Sequence, residues 1–95
     1  MQITKCNLFG TLVGVATATD FQSKSVVGIQ IDLGRRNDSG KFVIDTIKVL
    51  GGKQSDFINY LDEVVELQLE DVTIASYTRA NQAFLSIKAQ KATVL

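Results

Sequence analysis

Residues 2–18, QITKCNLFGTLVGVATA, decide the fold. The run is long for a single β-strand, and it carries Gly10 and Gly14, where a missing side chain lets a strand coil or kink sharply. A strand bent in this way can serve two sheets. The remainder of the chain is punctuated by glycine and rich in Val, Ile, Thr and Phe, the residue types that fit a pleated, half-buried surface.

Residues 19–24 (TDFQSK) are polar apart from Phe21 and read as a loop. Residues 25–33 alternate: Val27, Ile29, Ile31 and Leu33 share one face, Val26, Gly28, Gln30 and Asp32 the other. Residues 34–40 (GRRNDSG) form a loop with two bases at its start. Residues 41–50 (KFVIDTIKVL) are apolar on both faces, which predicts a central strand and leaves its register open. Gly51 and Gly52 end it. Ser55 is then placed to cap a short helix, with Asp56 in its first turn and Phe57, Ile58, Leu61, Val64 and Val65 as its apolar stripe. Leu67 and Leu69 resume strand alternation, but Val72 and Ile74 are out of phase with them, and a β-bulge near Glu70 and Asp71 is the simplest repair. The closing strands meet across residues 78–82 (TRANQ), and the last sets Leu85, Ile87 and Ala89 against Phe84, Ser86 and Lys88.

Ninety-five residues, 45% apolar and 21% charged, fit one globular domain, residues 1–95. There is no proline-rich or Ser/Gly linker, no repeat and no apolar run near bilayer length. The start MQITKCNLFG lacks the build of an export signal. The expectation is a soluble cytoplasmic protein (host cytoplasm if phage-encoded) without membrane association. The chain has no histidine and one cysteine, so imidazole chemistry, Ser-His and Cys-His catalysis and zinc ligation drop out, and Cys6 reads as a structural thiol. No metal, cofactor or enzymatic activity is expected, since the adjacent acids Asp62/Glu63 and Glu70/Asp71 lie in a charged stretch with no accompanying motif.

The net charge is zero but sorted by sign. Residues 56–71 hold Asp56, Asp62, Glu63, Glu66, Glu70 and Asp71 and no base; residues 72–95 hold Arg79, Lys88 and Lys91 and no acid. Without the acidic stretch, ten bases face four acids. A polyanion responds to that local field and not to the total.

The element order is a long bent strand, two further strands, a short helix, a bulged strand, a hairpin and a last strand. This predicts an all-β fold: a five-stranded, partly open OB-fold-like barrel with one short helix between strands 3 and 4. The chain resembles the OB-fold single-stranded-DNA-binding protein family, in particular the small filamentous-phage-type replication proteins. The likeness rests on residues 7–21 (NLFGTLVGVATATDF), 57–69 (FINYLDEVVELQL) and 75–95 (ASYTRANQAFLSIKAQKATVL). Cellular members of that family end in a flexible tail with an acidic tip. This chain stops at Leu95, so partner recruitment through a tail is not carried over.

The resemblance implies ligand binding along strands 2 and 3, between the loop after strand 1 and the hairpin before the last strand. Single-strand binding needs bases that track phosphates and exposed rings on which nucleobases stack. The candidates are Phe21 and Lys24 in the first loop, Arg35 and Arg36 after strand 2, Lys41 and Phe42 at the start of strand 3, and Tyr77, Arg79, Phe84 and Lys88 in the closing hairpin. Phe42 and Phe84 read more readily as core residues, Arg35 and Arg36 as solvated loop charges, and Lys48, Lys88 and Lys91 can be read as lysines that protect strand edges. The function expected is non-catalytic, largely sequence-independent coating of single-stranded DNA, or RNA, by a homodimer during replication. The alternative is a small barrel serving as a protein-interaction or structural module.

Overall fold

The computed structural model describes residues 1–19 and 22–95, with the backbone alone for Tyr77, Arg79 and residues 82–85. Six strands carry 68% of the chain, so the fold is all-β. They are β1 (Gln2–Thr19), β2 (Val26–Arg36), β3 (Phe42–Val49), β4 (Val64–Arg79), β5 (Gln82–Ala89) and β6 (Lys91–Val94).

Strand β1 serves two partners, as its length and glycines predict. From Gln2 to Thr11 it pairs with β4, and from Thr11 to Thr19 with β2, so Thr11 faces both Val64 and Gly34. The ladder to β2 slips by one residue between Leu12 and Gly14, which bends the strand at the handover. Gly10 is required by close approach: a Cβ there would lie 2.7 Å from the Gly34 carbonyl oxygen and 2.8 Å from Leu33 Cγ. Gly14 is not so constrained, because a Cβ would meet Asp32 at an ordinary 3.4 Å.

The ring closes in the order β1-β2-β3-β5-β4 and back to β1, and β6 continues along β4 beyond β5. This is the five-stranded OB-like barrel, with β5 and β6 together in the place of its last strand. Its seam is the parallel contact of β3 with β5, only Ile47 to Val49 against Ile87 to Ala89. Backbone bonds from Leu50 N to Ala89 O (2.9 Å) and Gly51 N to Gln90 O (3.0 Å) extend it by one turn of chain. Inside lie Leu12, Ile29, Ile31, Leu33, Ile47, Val49, Val65, Leu67, Leu69, Val72, Ile87 and Ala89. The register of β3, ambiguous in the sequence, is thereby set. Ile47 and Val49 point in, and Phe42 and Ile44 are about half exposed on the outer face.

The helical segment between β3 and β4 differs in detail from its prediction. It consists of two 3-10 turns, Gln54–Asp56 and Ile58–Tyr60, separated by Phe57 at φ −121°. Lys53, not Ser55, stands at the N-cap, with no side-chain cap bond. Phe57 alone plugs the barrel at 1% exposure, while Ile58, Leu61 and Val64 are exposed. The apolar stripe fails because the β-branched pair Val64 and Val65 starts β4 and falls on opposite faces of it, a tertiary choice that overrides the helical spacing.

The phase change near Asp71 is real but is not an added residue. Lys5↔Glu70 and Ile3↔Val72 keep one register, and Asp71 sits at φ +53°. Burial switches phase at the same level on all three neighbours: Ile3 to Cys6 on β1, Leu69 to Val72 on β4, and Ala89 to Ala92 from β5 to β6. Because the three strands shift together, no ladder needs to slip.

Candidate functional site

The outer face of β2 and β3 is set by the burial of its reverse. With Ile29, Ile31, Leu33, Ile47 and Val49 inward, the residues turned outward are Gln30, Asp32, Gly34 and Arg36 on β2, and Phe42, Ile44, Thr46 and Lys48 on β3. Arg36 and Phe42 are register partners, and the Arg36 guanidinium carbon stands 5.4 Å from the Phe42 ring centroid. This is a cation–π arrangement. The ring lies over Gly34, where a Cβ would come within 2.3 Å of Phe42 Cζ. Glycine thus makes the seat for the aromatic ring.

The connecting turn holds this group in place. Asn37 Oδ1 accepts hydrogen bonds from Ser39 N (3.0 Å), Ser39 Oγ (2.8 Å) and Lys41 N (3.0 Å), and Arg36 donates to the Gly40 carbonyl at 3.2 Å. Arg36 and Phe42 are therefore ordered before any ligand arrives, while Lys41 beside them is exposed.

Arg35 does not join them. It falls on the inward-facing side of β2 near the barrel mouth and bonds Asp45 at 2.7 Å. Hydrogen bonding and charge attraction from Asp45 hold its guanidinium above its ordinary pKa. Of the two loop bases in the sequence, one is committed to an ion pair and one faces outward.

Lys24 is exposed in the loop after β1, at φ +57°. Lys88 is exposed on β5 and lies beside Lys48 in the parallel register. Phe21 lies outside the described residues, as do the side chains of Tyr77, Arg79 and Phe84. The hairpin backbone sets Tyr77 opposite Phe84 and Arg79 opposite Gln82, across a two-residue turn at Ala80 (φ +52°) and Asn81 (φ +64°). Pairing between β5 and β3 begins at Ile47 and Ile87 and does not extend toward Phe42. Phe42, Ile44 and Thr46 of β3 lie beyond the end of that pairing.

Among the exposed apolar residues that were not candidates, Phe9 (65% exposed), Ile44 (52%) and Val64 (79%) stand at neighbouring register positions. Val64, Thr11, Gly34 and Ile44 form one transverse row over four strands, with Phe9 beside it on β1. The signal was available, since Cys6, Leu8, Gly10 and Leu12 on one face of β1 send Phe9 to the other.

The bases of the barrel differ in their pairing. Glu70 on β4 lies between Lys5 (3.7 Å) and Lys91 (3.8 Å), and Glu66 accepts a hydrogen bond from Asn7 at 2.9 Å. Arg36, Lys41, Lys48 and Lys88, on or beside β2, β3 and β5, make no ion pair among the described residues. Burial pushes the Cys6 thiol up, away from reactive thiolate. Among the described residues no group of His, Cys, Asp and Glu is placed to hold a metal ion. The chain matches no family model, and no curated protein matches it.

Proposed function

We propose that the protein binds single-stranded nucleic acid without catalysis and with little sequence preference, DNA being the expected ligand, and that the outer face of β2 and β3 is its contact surface. The observation that carries this reading is the Arg36–Phe42 stack seated on Gly34, half exposed and fixed by its turn. A nucleobase can continue that stack, and the unpaired bases nearby suit phosphates. Titration of a fluorescein-labelled oligothymidine, followed by anisotropy at two salt concentrations and repeated with duplex of equal length, tests it. Micromolar or tighter binding to the single strand, weakened by salt, is expected. No binding at low salt would end the reading.

A second reading, a protein-interaction module, is favoured by Phe9 and Val64, which are exposed where β1 pairs with β4, Phe9 opposite Glu66 and Val64 next to Glu63. Those acids repel a polyanion, so an apolar protein surface fits there better, and a second copy of the chain is the partner proposed. Sedimentation of the wild type and of Val64→Asp tests it: a dimer that the substitution dissociates is expected, and a monomer in both would remove it. This surface reaches the Phe42 seat through the row Val64, Thr11 and Gly34, so a dimer formed through it borders the nucleic-acid face.

A further inference from the structure

We infer that Lys48 and Lys88 form a phosphate-binding dyad that fixes where a nucleic-acid backbone crosses the β3–β5 seam; this rests on the single-strand reading above. The two are register partners on adjacent parallel strands, and both side chains turn outward because Ile47, Ile87, Val49 and Ala89 turn in. Like charges directly opposite one another destabilise a sheet.

Protection of a strand edge does not account for them. At this level β3 is also paired with β2 through Gln30↔Lys48, and β5 with β4 through Thr73↔Lys88, so neither lysine stands on an edge. Their row reads Gln30, Lys48, Lys88, Thr73, two positive charges between neutral neighbours. Asp32, the acid on the outer face of β2, accepts the Thr46 hydroxyl at 3.0 Å and makes no ion pair with Lys48. Lys5 and Lys91, by contrast, share Glu70.

Their place in the fold gives the pair a use. The β3–β5 ladder joins three residue pairs with the lysines as the middle one, and Phe42 stands on the same outer face at the other end of β3. Along β3 the distance from Lys48 to Phe42 is about 20 Å, a few nucleotides of extended strand. A phosphodiester held at the seam can lead its bases along β3 toward the Arg36–Phe42 stack. An anion bound there also relieves the repulsion that the folded chain otherwise carries.

The test uses labelled oligothymidine and the Lys48→Gln, Lys88→Gln and double variants, with Lys91→Gln as a control on the ion-paired side. The slope of log affinity against log salt should become shallower by roughly 0.7 for each lysine lost from the dyad, and affinity should fall several-fold. Lys91→Gln should leave the slope unchanged. Wild-type binding with an unaltered slope in the double variant would overturn the dyad while leaving the single-strand reading in place, and so would an equal loss of slope in Lys91→Gln. A wild type that does not bind removes both. A further arm, Lys48→Glu, should melt above the wild type yet bind more weakly than Lys48→Gln, because attraction to Lys88 replaces repulsion.

Discussion

Phe42→Ala and Gly34→Ala remove the same feature by different routes, and together they test whether the seated ring is the binding element. Deleting the ring should cost one base stack, about 1 to 3 kcal/mol, which is roughly 5- to 150-fold in affinity. Its effect on folding should be small, because the ring is 49% exposed. Losing about half of a full aromatic burial amounts to roughly 1 kcal/mol. Gly34→Ala keeps the ring but puts a methyl 2.3 Å from Cζ and 3.1 Å from Cε1 and Cε2. Since the ring edge faces solvent, it can swing aside at little strain, and it then leaves both its seat and Arg36. Gly34→Ala should therefore bind nearly as weakly as Phe42→Ala, and the double variant no more weakly than Phe42→Ala alone, because both substitutions act on one ring. Anisotropy with oligothymidine gives the affinities, and thermal melts give the stabilities. Unchanged affinity in Phe42→Ala would refute the stacking role. Additive losses in the double variant would show that Gly34 acts through something other than the ring.

Gly28→Ala is the contrasting case: at φ +154° its Cβ would lie 2.1 Å from the Val49 carbonyl oxygen and 2.9 Å from Leu50 Cα, both backbone that cannot swing away. Left-handed strain and overpacking together should cost roughly 3 kcal/mol or more, read as a loss of well over 10 °C in Tm for a domain of this size; a melt within a few degrees of wild type would refute it. Arg35→Ala and Arg36→Ala should separate by function. The first breaks a partly exposed ion pair worth up to about 1 kcal/mol and leaves oligothymidine affinity within about twofold, whereas the second weakens binding and flattens its salt dependence by roughly 0.7; equal effects on binding would contradict the placement of Arg35. Ala80→Asn should stabilise the protein by about 0.5 to 1 kcal/mol in urea titrations, because the two-residue turn holds Ala80 at φ +52°, where asparagine is tolerated far better; a lower unfolding midpoint would count against this turn geometry.

Much of the barrel could be read from local pattern. The bent first strand, the in-out alternation of Ile29, Ile31 and Leu33, and the hairpin near Ala80 and Asn81 each depend on residues close in sequence, and each stands as read. What could not be read was decided by partners far away in the chain. The register of β3 depends on β2 and β5, so Phe42 could not be separated from a core residue until Ile47 and Val49 were seen to fill the inside. The stripe from Phe57 to Val65 matched a helix in spacing, but β4 extends over Val64 to pair with Thr11 and leaves no room for one. Arg35 and Arg36 look alike in sequence, yet strand alternation sends one to Asp45 and the other to Phe42. The dyad of Lys48 and Lys88 spans forty residues of sequence and exists only because β3 and β5 run parallel at the seam.

A neutral total charge and a cationic face are compatible only over a limited range of salt, and this gives a final test. Glu63 and Glu66, at the start of β4 where it pairs with β1, lie on strands that are not paired with β3, in a molecule of 37 × 30 × 24 Å. At physiological ionic strength the screening length is about 8 Å, so a strand at the β3 face responds to the bases there and to Asp32, and scarcely to Glu63 and Glu66. At 0.01 M salt that length grows to about 30 Å, comparable to the molecule itself, and the acids then oppose binding. The plot of log affinity against log salt should therefore be steep between about 0.1 and 0.3 M and flatten toward 0.01 M, where counterion release alone would give a straight line. Replacing Glu63 and Glu66 by glutamine should steepen the low-salt limb and leave the high-salt limb unchanged, since only at low salt are these acids within reach. A plot that stays linear down to 0.01 M in the wild type would show that the acids are never felt. Glu63 and Glu66 would then have no part in how a polyanion approaches the barrel.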